Sequence, residues 1–356
     1  MSALKPIRVL IVDDSAMVRK MLTAALAGDE QIEVVGTAPD AFIARDKILA
    51  LNPDVLTLDI EMPRMDGITF LKKLMQFRPL PVIVISSLGH AACQASVDAL
   101  RAGAVEILCK PNGPTSVGEL ALTLADKVRT AASARMPARS KDKQPPAGAG
   151  SAQSAPAADV RYARDKIIVI GASTGGPSAV AELLAGFPSN SPPILIVQHM
   201  PAVFTTHFAA RLKSECKIDV KEAEDGDLVL PGRALIAPGN FHMTLRMSEQ
   251  GYRVRVGDGP PVCFSRPSVD VLFSSVAGLV KKKAVGILLT GMGADGARGL
   301  LEMRNNGAAT FAQNEETCIV FGMPKEAIRM GAVEKILPLN QIANAVLRQV
   351  AVAPLQ

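Results

Sequence analysis

Apolar runs five or six residues long recur along the first third of the chain, and each gap leaves room for a helix. "IRVLIV" (7–12), "EVVGTA" (33–38), "VLTLDI" (55–60), "PVIVIS" (81–86) and "VEILCK" (105–110) are dominated by Val, Ile and Leu with little polar alternation. A strand that reads apolar on both faces is buried on both, as in a parallel sheet covered by helices. The pattern predicts a five-stranded, doubly wound α/β domain over residues 1–130. It resumes in "KIIVIG", "PILIVQ", "ALIAPG" and "AVGILLTG", and "MTLRMSEQGYRVRVGDG" between them reads as a β-hairpin. Residues 163–356 are therefore expected to form a second doubly wound, mainly parallel α/β domain with a hairpin. Between them, "SARMPARSKDKQPPAGAGSAQSAPAADV" (133–160) has almost no large apolar side chain and is dense in Pro, Ala, Gly and Ser. Such a stretch cannot bury enough surface to offset its ordering entropy, so 131–162 is expected to be a flexible linker.

Composition narrows the classes. The 356 residues are 48% hydrophobic, yet no apolar run reaches the roughly 18 residues that span a bilayer, and "IRVLIVDDSA" is broken by two aspartates. The five cysteines (Cys93, Cys109, Cys216, Cys263, Cys318) are scattered, with no CxxC pair, which suits free thiols in a reducing compartment. The net charge of +5 is spread out apart from Lys281–Lys283, so a nucleic-acid surface is not expected. A cytoplasmic protein without membrane insertion is the expectation.

In the first domain, polar groups gather at strand ends. Asp13 and Asp14 follow the first strand, Asp59 closes the third, Ser86 the fourth, and Lys110 follows the fifth. The carboxyl ends of parallel strands share one crevice. Three carboxylates there repel unless a divalent cation joins them, and an all-oxygen set with room for water and phosphate suits Mg²⁺. Lys110 adds a positive charge and Ser86 a hydroxyl where a phosphoryl group would sit. "VLIVDDSAMVRKML", "LTLDIEMPRMDGITFL", "VIVISS" and "AVEILCKP" resemble a response-regulator receiver domain over residues 5–128. The resemblance implies Asp59 as phospho-acceptor, Asp14 as direct Mg²⁺ ligand, Asp13 acting through water, and the Glu61 backbone carbonyl completing the metal shell. It also implies Ser86 as switch hydroxyl and Lys110 as phosphate partner. Ile107 stands where receivers often carry an aromatic switch residue, a departure from the pattern.

In the second domain, "IIVIGASTGGPSAV" (167–180) runs from a strand through a Gly-rich turn into a helix, with Ser173 on the turn. Ser173 is either a nucleophile or part of a phosphate-cradling loop. The second Rossmann glycine and the P-loop lysine are both missing, which counts against a nucleotide site. His199, just past "PILIVQ", and Asp295, on the turn after "AVGILLTG", would meet Ser173 on one sheet edge. A serine hydroxyl attacks well only when a neutral imidazole takes its proton and a carboxylate orients that imidazole. The Thr174 amide, at the start of the next helix, points where an oxyanion would form. His90, His207 and His242 lack such a strand-end position.

"IGASTGGP", "VQHMPAVFTTHFAARL", "APGNFHM", "SVDVLFSSVA", "LLTGMGADGARGL" and "FGMPKEAI" resemble the catalytic domain of the chemotaxis protein-glutamate methylesterase family over about residues 164–350. With receiver and linker ahead, the domain order matches that family. The resemblance implies hydrolysis of γ-glutamyl methyl esters on methyl-accepting chemoreceptor helices, and deamidation of particular glutamines. It places the triad on Ser173, His199 and Asp295 and the oxyanion amides at Thr174 and Met292. It implies a chemotaxis histidine kinase as phosphodonor, Mg²⁺ in the receiver and no cofactor for the esterase step. A receiver packed over the triad would exclude receptor helices until Asp59 is phosphorylated. A non-catalytic docking module remains the competing class, and a Ser173→Ala change separates the two.

Overall fold

The computed structural model describes residues 5–87, 89–110, 114–136 and 161–352. The first half alternates β1 (Ile7–Val12), α1 (Ala16–Leu26), β2 (Ile32–Ala38), α2 (Ala41–Leu51), β3 (Val55–Asp59), α3 (Gly67–Phe77), β4 (Val82–Ser86), α4 (His90–Arg101), β5 (Glu106–Cys109) and α5 (Pro114–Ala132). Its strands are all parallel, in the order β2-β1-β3-β4-β5. Leu10 and Val12 face the α2–α3 side and Val9 and Ile11 the α1–α5 side, so one strand feeds two cores.

The second half continues with β6 (Ile167–Ala172), α6 (Gly176–Ala185), β7 (Ile194–Gln198), α7 (Ala202–Glu215), β8 (Asp219–Glu222) and β9 (Arg233–Ile236). The hairpin β10 (His242–Ser248) and β11 (Gly251–Gly257) precedes α8 (Val269–Val280). β12 (Ala284–Leu288), α9 (Ala297–Asn305), β13 (Ala309–Gln313), α10 (Met323–Arg329), β14 (Lys335–Leu337) and α11 (Leu339–Val350) complete the chain. Seven parallel strands order as β14-β13-β12-β6-β7-β9-β8, and β10–β11 stands apart as an antiparallel pair. Ile168 and Ile170 pack toward α6, α7 and α11, while Ile167 and Val169 pack toward α8, α9 and the hairpin. The order turns back on itself at β6, with β7 on one side and β12 on the other. Ligand crevices of open α/β sheets form at such a switch point.

The two halves share one apolar cluster, which passes through Val97 and Leu100 of α4 to Ala179 of α6 and Phe208 of α7. Polar contacts reinforce it. Arg211 donates to the Val97 carbonyl (2.8 Å) and to Asp98 (2.9 Å), and Arg101 pairs with Glu215 (3.1 Å). Most of the expected linker, 137–160, lies outside the described residues. Of its ends, Arg135 donates its amide to Ile319 (2.8 Å) and pairs with Glu315 (2.6 Å), and Tyr162 bridges to Ala351. No helix among the described residues is long and apolar enough to cross a membrane.

Candidate active site

Ser173 follows β6 on a turn that only small residues allow. Gly175 takes φ 74°, a left-handed conformation that glycine adopts without cost. A Cβ on Gly176 would meet Gln198 Oε1 at 2.0 Å. Ser173 is 5% exposed, and its amide donates to the Thr290 carbonyl (3.0 Å). His199 follows β7, its amide on Ala172 (3.1 Å). Gln198 ties the two turns together, donating to the carbonyls of Ser173 (2.9 Å) and His199 (3.0 Å).

Asp295 follows β12 and is buried. Its carboxylate accepts from His199 Nε2 (2.8 Å), Ser268 Oγ (2.8 Å), and the amides of Val269 (2.7 Å) and Asp270 (3.0 Å). Three of these donors are the first turn of α8, so the helix dipole also favours the anion. Burial pushes the Asp295 carboxyl up, but His199 and the α8 amides outweigh it and hold it below the usual carboxylate range. An ionised Asp295 accepts the Nε2 proton, which leaves the lone pair on Nδ1. That nitrogen faces the Ser265 hydroxyl at 3.4 Å. The structure brings His199 and Asp295 into direct contact. It records no hydrogen bond between the Ser173 hydroxyl and the imidazole, and such bonds commonly tighten only around substrate. Neither the Thr174 nor the Met292 amide donates to an acceptor among the described residues.

Residues of the first half lie against this edge. Val105 accepts from the Gly175 amide (3.3 Å), Glu106 from the Thr174 hydroxyl (2.8 Å), and the Thr130 hydroxyl meets the Met292 sulfur. In the first half itself, Lys110 Nζ bridges Asp59 (2.7 Å) and Asp13 (3.0 Å). Burial raises the Asp13 and Asp59 carboxyls despite Lys110, while the two carboxylates raise Lys110 against its own burial. Asp13, Asp14 and Asp59 offer oxygens within 4.8 Å of one another, and Lys110 is, among the described residues, the one cation that faces both Asp13 Oδ2 and Asp59 Oδ2. Two buried carboxylates against one ammonium leave surplus negative charge, so the donor set fits a hard divalent cation. The Glu61 amide donates to Asp59 (3.2 Å), which places its carbonyl at the same strand end. The Ser86 hydroxyl donates to the carbonyls of Ser87 (3.3 Å) and Ala92 (3.4 Å), and Ile107 is buried in the core.

A second cluster, Cys263, Asp270 and Asp295, offers ligand atoms within 4.8 Å of one another. The four donors on Asp295 leave no oxygen there for a metal. The sequence reading passed over Gln198, Ser265, Ser268 and Glu106. Only Ser268 carries a local signal, as a helix-capping serine ahead of the apolar run of α8. His242, set aside for its position, opens β10 and accepts the Ser268 amide on Nδ1 (3.2 Å) while its Nε2 donates to Pro260 (3.0 Å).

Two family models match the chain: CheB methylesterase over residues 168–346 and response regulator receiver domain over residues 9–121. A protein-glutamate methylesterase/protein-glutamine glutaminase of Syntrophus aciditrophicus is 53% identical over 345 residues, spanning 97% of this chain and 99% of the relative. One from Geobacter metallireducens is 52% identical over 348 residues, spanning 95% and 94%. The crystal structure of the Thermotoga maritima CheB methylesterase catalytic domain is 40% identical, covers 52% of this chain and 98% of its own, and aligns with a TM-score of 0.51.

Proposed function

The chain belongs to the CheB methylesterase family and is a receiver-regulated chemotaxis methylesterase/glutaminase, and on that premise we propose that Ser173, His199 and Asp295 carry its acyl transfer. The observation that carries the assignment is the His199–Asp295 contact at the switch point, with Ser173 on the neighbouring strand end. Ser173 Oγ attacks the side-chain carbonyl of a glutamyl methyl ester while His199 Nδ1 takes its proton. The free amides of Thr174 and Met292 receive the oxyanion. Nδ1 then returns the proton to the departing methoxide, giving methanol and an acyl-serine. Water, deprotonated by the same nitrogen, releases Ser173 and leaves a glutamate. With glutamine the leaving group is ammonia and the remaining steps are the same.

The receiver contacts on Thr174, Gly175 and Met292 support a closed state in which receptor helices are excluded from Ser173. The acceptor is Asp59, phosphorylated by a chemotaxis kinase. Mg²⁺ held by Asp13, Asp14, Asp59 and the Glu61 carbonyl would neutralise charge on the incoming phosphoryl group. Lys110 and Ser86 are placed to contact the phosphoryl oxygens, which draws Lys110 from its present bridge and disturbs β5. A swing from 1:99 to 99:1 open takes about 5.5 kcal/mol of differential stabilisation. The test is methanol release from methylated receptor cytoplasmic fragments, with and without a small phosphodonor plus Mg²⁺. Release should rise with the phosphodonor and vanish in Ser173→Ala; a docking module would show neither.

A further inference from the structure

The loop entering α8 turns on two residues poorly suited to it. Val262 and Ser265 exchange backbone hydrogen bonds (3.1 and 2.9 Å), making Cys263 and Phe264 the centre of a two-residue turn with φ 48° and 63°. Both central residues at positive φ is the geometry that Asn-Gly usually supplies, and a side chain with a Cβ is strained there. The loop is nevertheless fixed. Ser265 Oγ faces His199 Nδ1, Arg266 donates to the Gly259 carbonyl (2.7 Å), and the Asn240 amide donates to the Arg266 carbonyl (3.2 Å). His242 clamps the loop between Pro260 and Ser268.

What this rigid, strained turn displays is Phe264, whose relative exposure is 104%, the highest of any large apolar residue among those described. The chain is poor in aromatics, with 11 Phe, 2 Tyr and no Trp, so a bare phenyl ring one residue from the group facing the catalytic histidine is costly to keep in water. Strain of this kind persists at sites where it serves binding or catalysis. Two more exposed apolar groups lie at this edge of the site: Phe241, beside the Asn240 whose amide holds the loop, and Met292, the residue of the second oxyanion amide, whose sulfur meets Thr130.

Building on the esterase reading, we propose that Phe264 is a specificity-determining residue that grips the substrate helix. Its ring packs on aliphatic side chains one turn from the esterified glutamate, on the same helix face, and so presents the ester carbonyl to Ser173. Aliphatic neighbours on that face are the chemistry recognised, since the i±3 and i±4 positions are the ones within reach of a reacting side chain.

The experiment compares Phe264→Ala, Phe264→Leu and Phe264→Gly in the full chain, activated by phosphodonor and Mg²⁺. Burying one phenyl ring predicts a rise in KM for methylated receptor fragments of about tenfold to a hundredfold in Phe264→Ala, with kcat close to native and partial recovery in Phe264→Leu. Labelling of Ser173 by a small fluorophosphonate should keep its native rate, because that reagent needs no helix contact. Phe264→Gly should bind receptor as poorly as Phe264→Ala yet melt no lower than the native chain, since glycine relieves the strain. A native KM in Phe264→Ala, or a loss confined to kcat and labelling, overturns the proposal. Receptor affinity of the Ser173→Ala chain, with and without Phe264→Ala, reads the same contact without turnover. An absence of methanol release from the native chain counts against the esterase reading, while the affinity comparison still decides the role of Phe264.

Discussion

At the scale of single residues, the arrangement around Asp295 decides which nitrogen works. Four donors hold the carboxylate ionised in a buried place, and this fixes the His199 tautomer with Nδ1 free. The same lowered pKa gives a pH prediction. A carboxyl whose folded pKa lies below its ordinary value of 3.8 adds stability that is fully present above that value. This contribution is lost as the pH falls through the lower, folded value. Asp295→Asn should therefore lower the urea midpoint at pH 7, by about 1–3 kcal/mol of stability, because the amide NH2 would face the Val269 or the Asp270 donor instead of accepting from it. It should also flatten the further decline of the native chain as the pH falls below the ordinary carboxylate value of 3.8. Equal acid sensitivity in both chains would show that Asp295 is not a stabilising anion. The residues proposed for the triad stood out as candidates at this scale because Ser173 and His199 come right after β6 and β7, and Asp295 lies on the glycine-rich turn beyond β12. Gln198, Ser265 and Glu106 were not, since a polar residue's partner across the fold leaves no trace in its neighbours.

At the scale of elements, β5 joins the two chemistries. Its last residue precedes Lys110, and its first, Glu106, accepts from Thr174 (2.8 Å) and from Lys127 (2.7 Å). A charge-assisted hydrogen bond of this kind would help to hold the proposed closed state together. Glu106→Ala should raise turnover of the unphosphorylated chain about tenfold and leave the phosphodonor-activated rate unchanged. An unchanged basal rate would detach β5 from the control of Thr174. The strands found in the sequence are those rich in branched apolar residues: β1 matches "IRVLIV" residue for residue, β7 and β12 fall inside their apolar runs, and β6 runs one residue past "KIIVIG" to Ala172. Three strands escaped notice. β8 ("DVKE") and β14 ("KIL") are short and half exposed at the sheet edges, and β13 ("ATFAQ") is buried but carries two alanines and a glutamine, a weak strand signal.

At the scale of the whole molecule, the receiver and the catalytic half pack through α4 against α6 and α7. Arg211, whose side chain is 9% exposed, is the polar centre of that contact. Removing it leaves the Val97 carbonyl and Asp98 without their donor across the interface. Arg211→Ala should shift the unphosphorylated chain toward the open state. Its small-angle scattering profile should move toward that of the beryllofluoride-treated native chain, and its basal methanol release should rise with it. A compact profile with native basal release would assign closure to other contacts.

The sequence by itself determined two α/β halves, the order of their main strands, and the strand-end positions of the acidic, serine, histidine and aspartate groups. Those features are local: a doubly buried strand must be apolar throughout, and its chemistry must sit where it ends. Only the tertiary structure decided that α8 supplies the donors for Asp295, that His199 presents Nδ1, that Glu106 reaches Thr174, and that Phe264 stands bare beside the site. Each of these joins residues distant in the chain, and their geometry is set by how the layers pack, which no window of sequence contains.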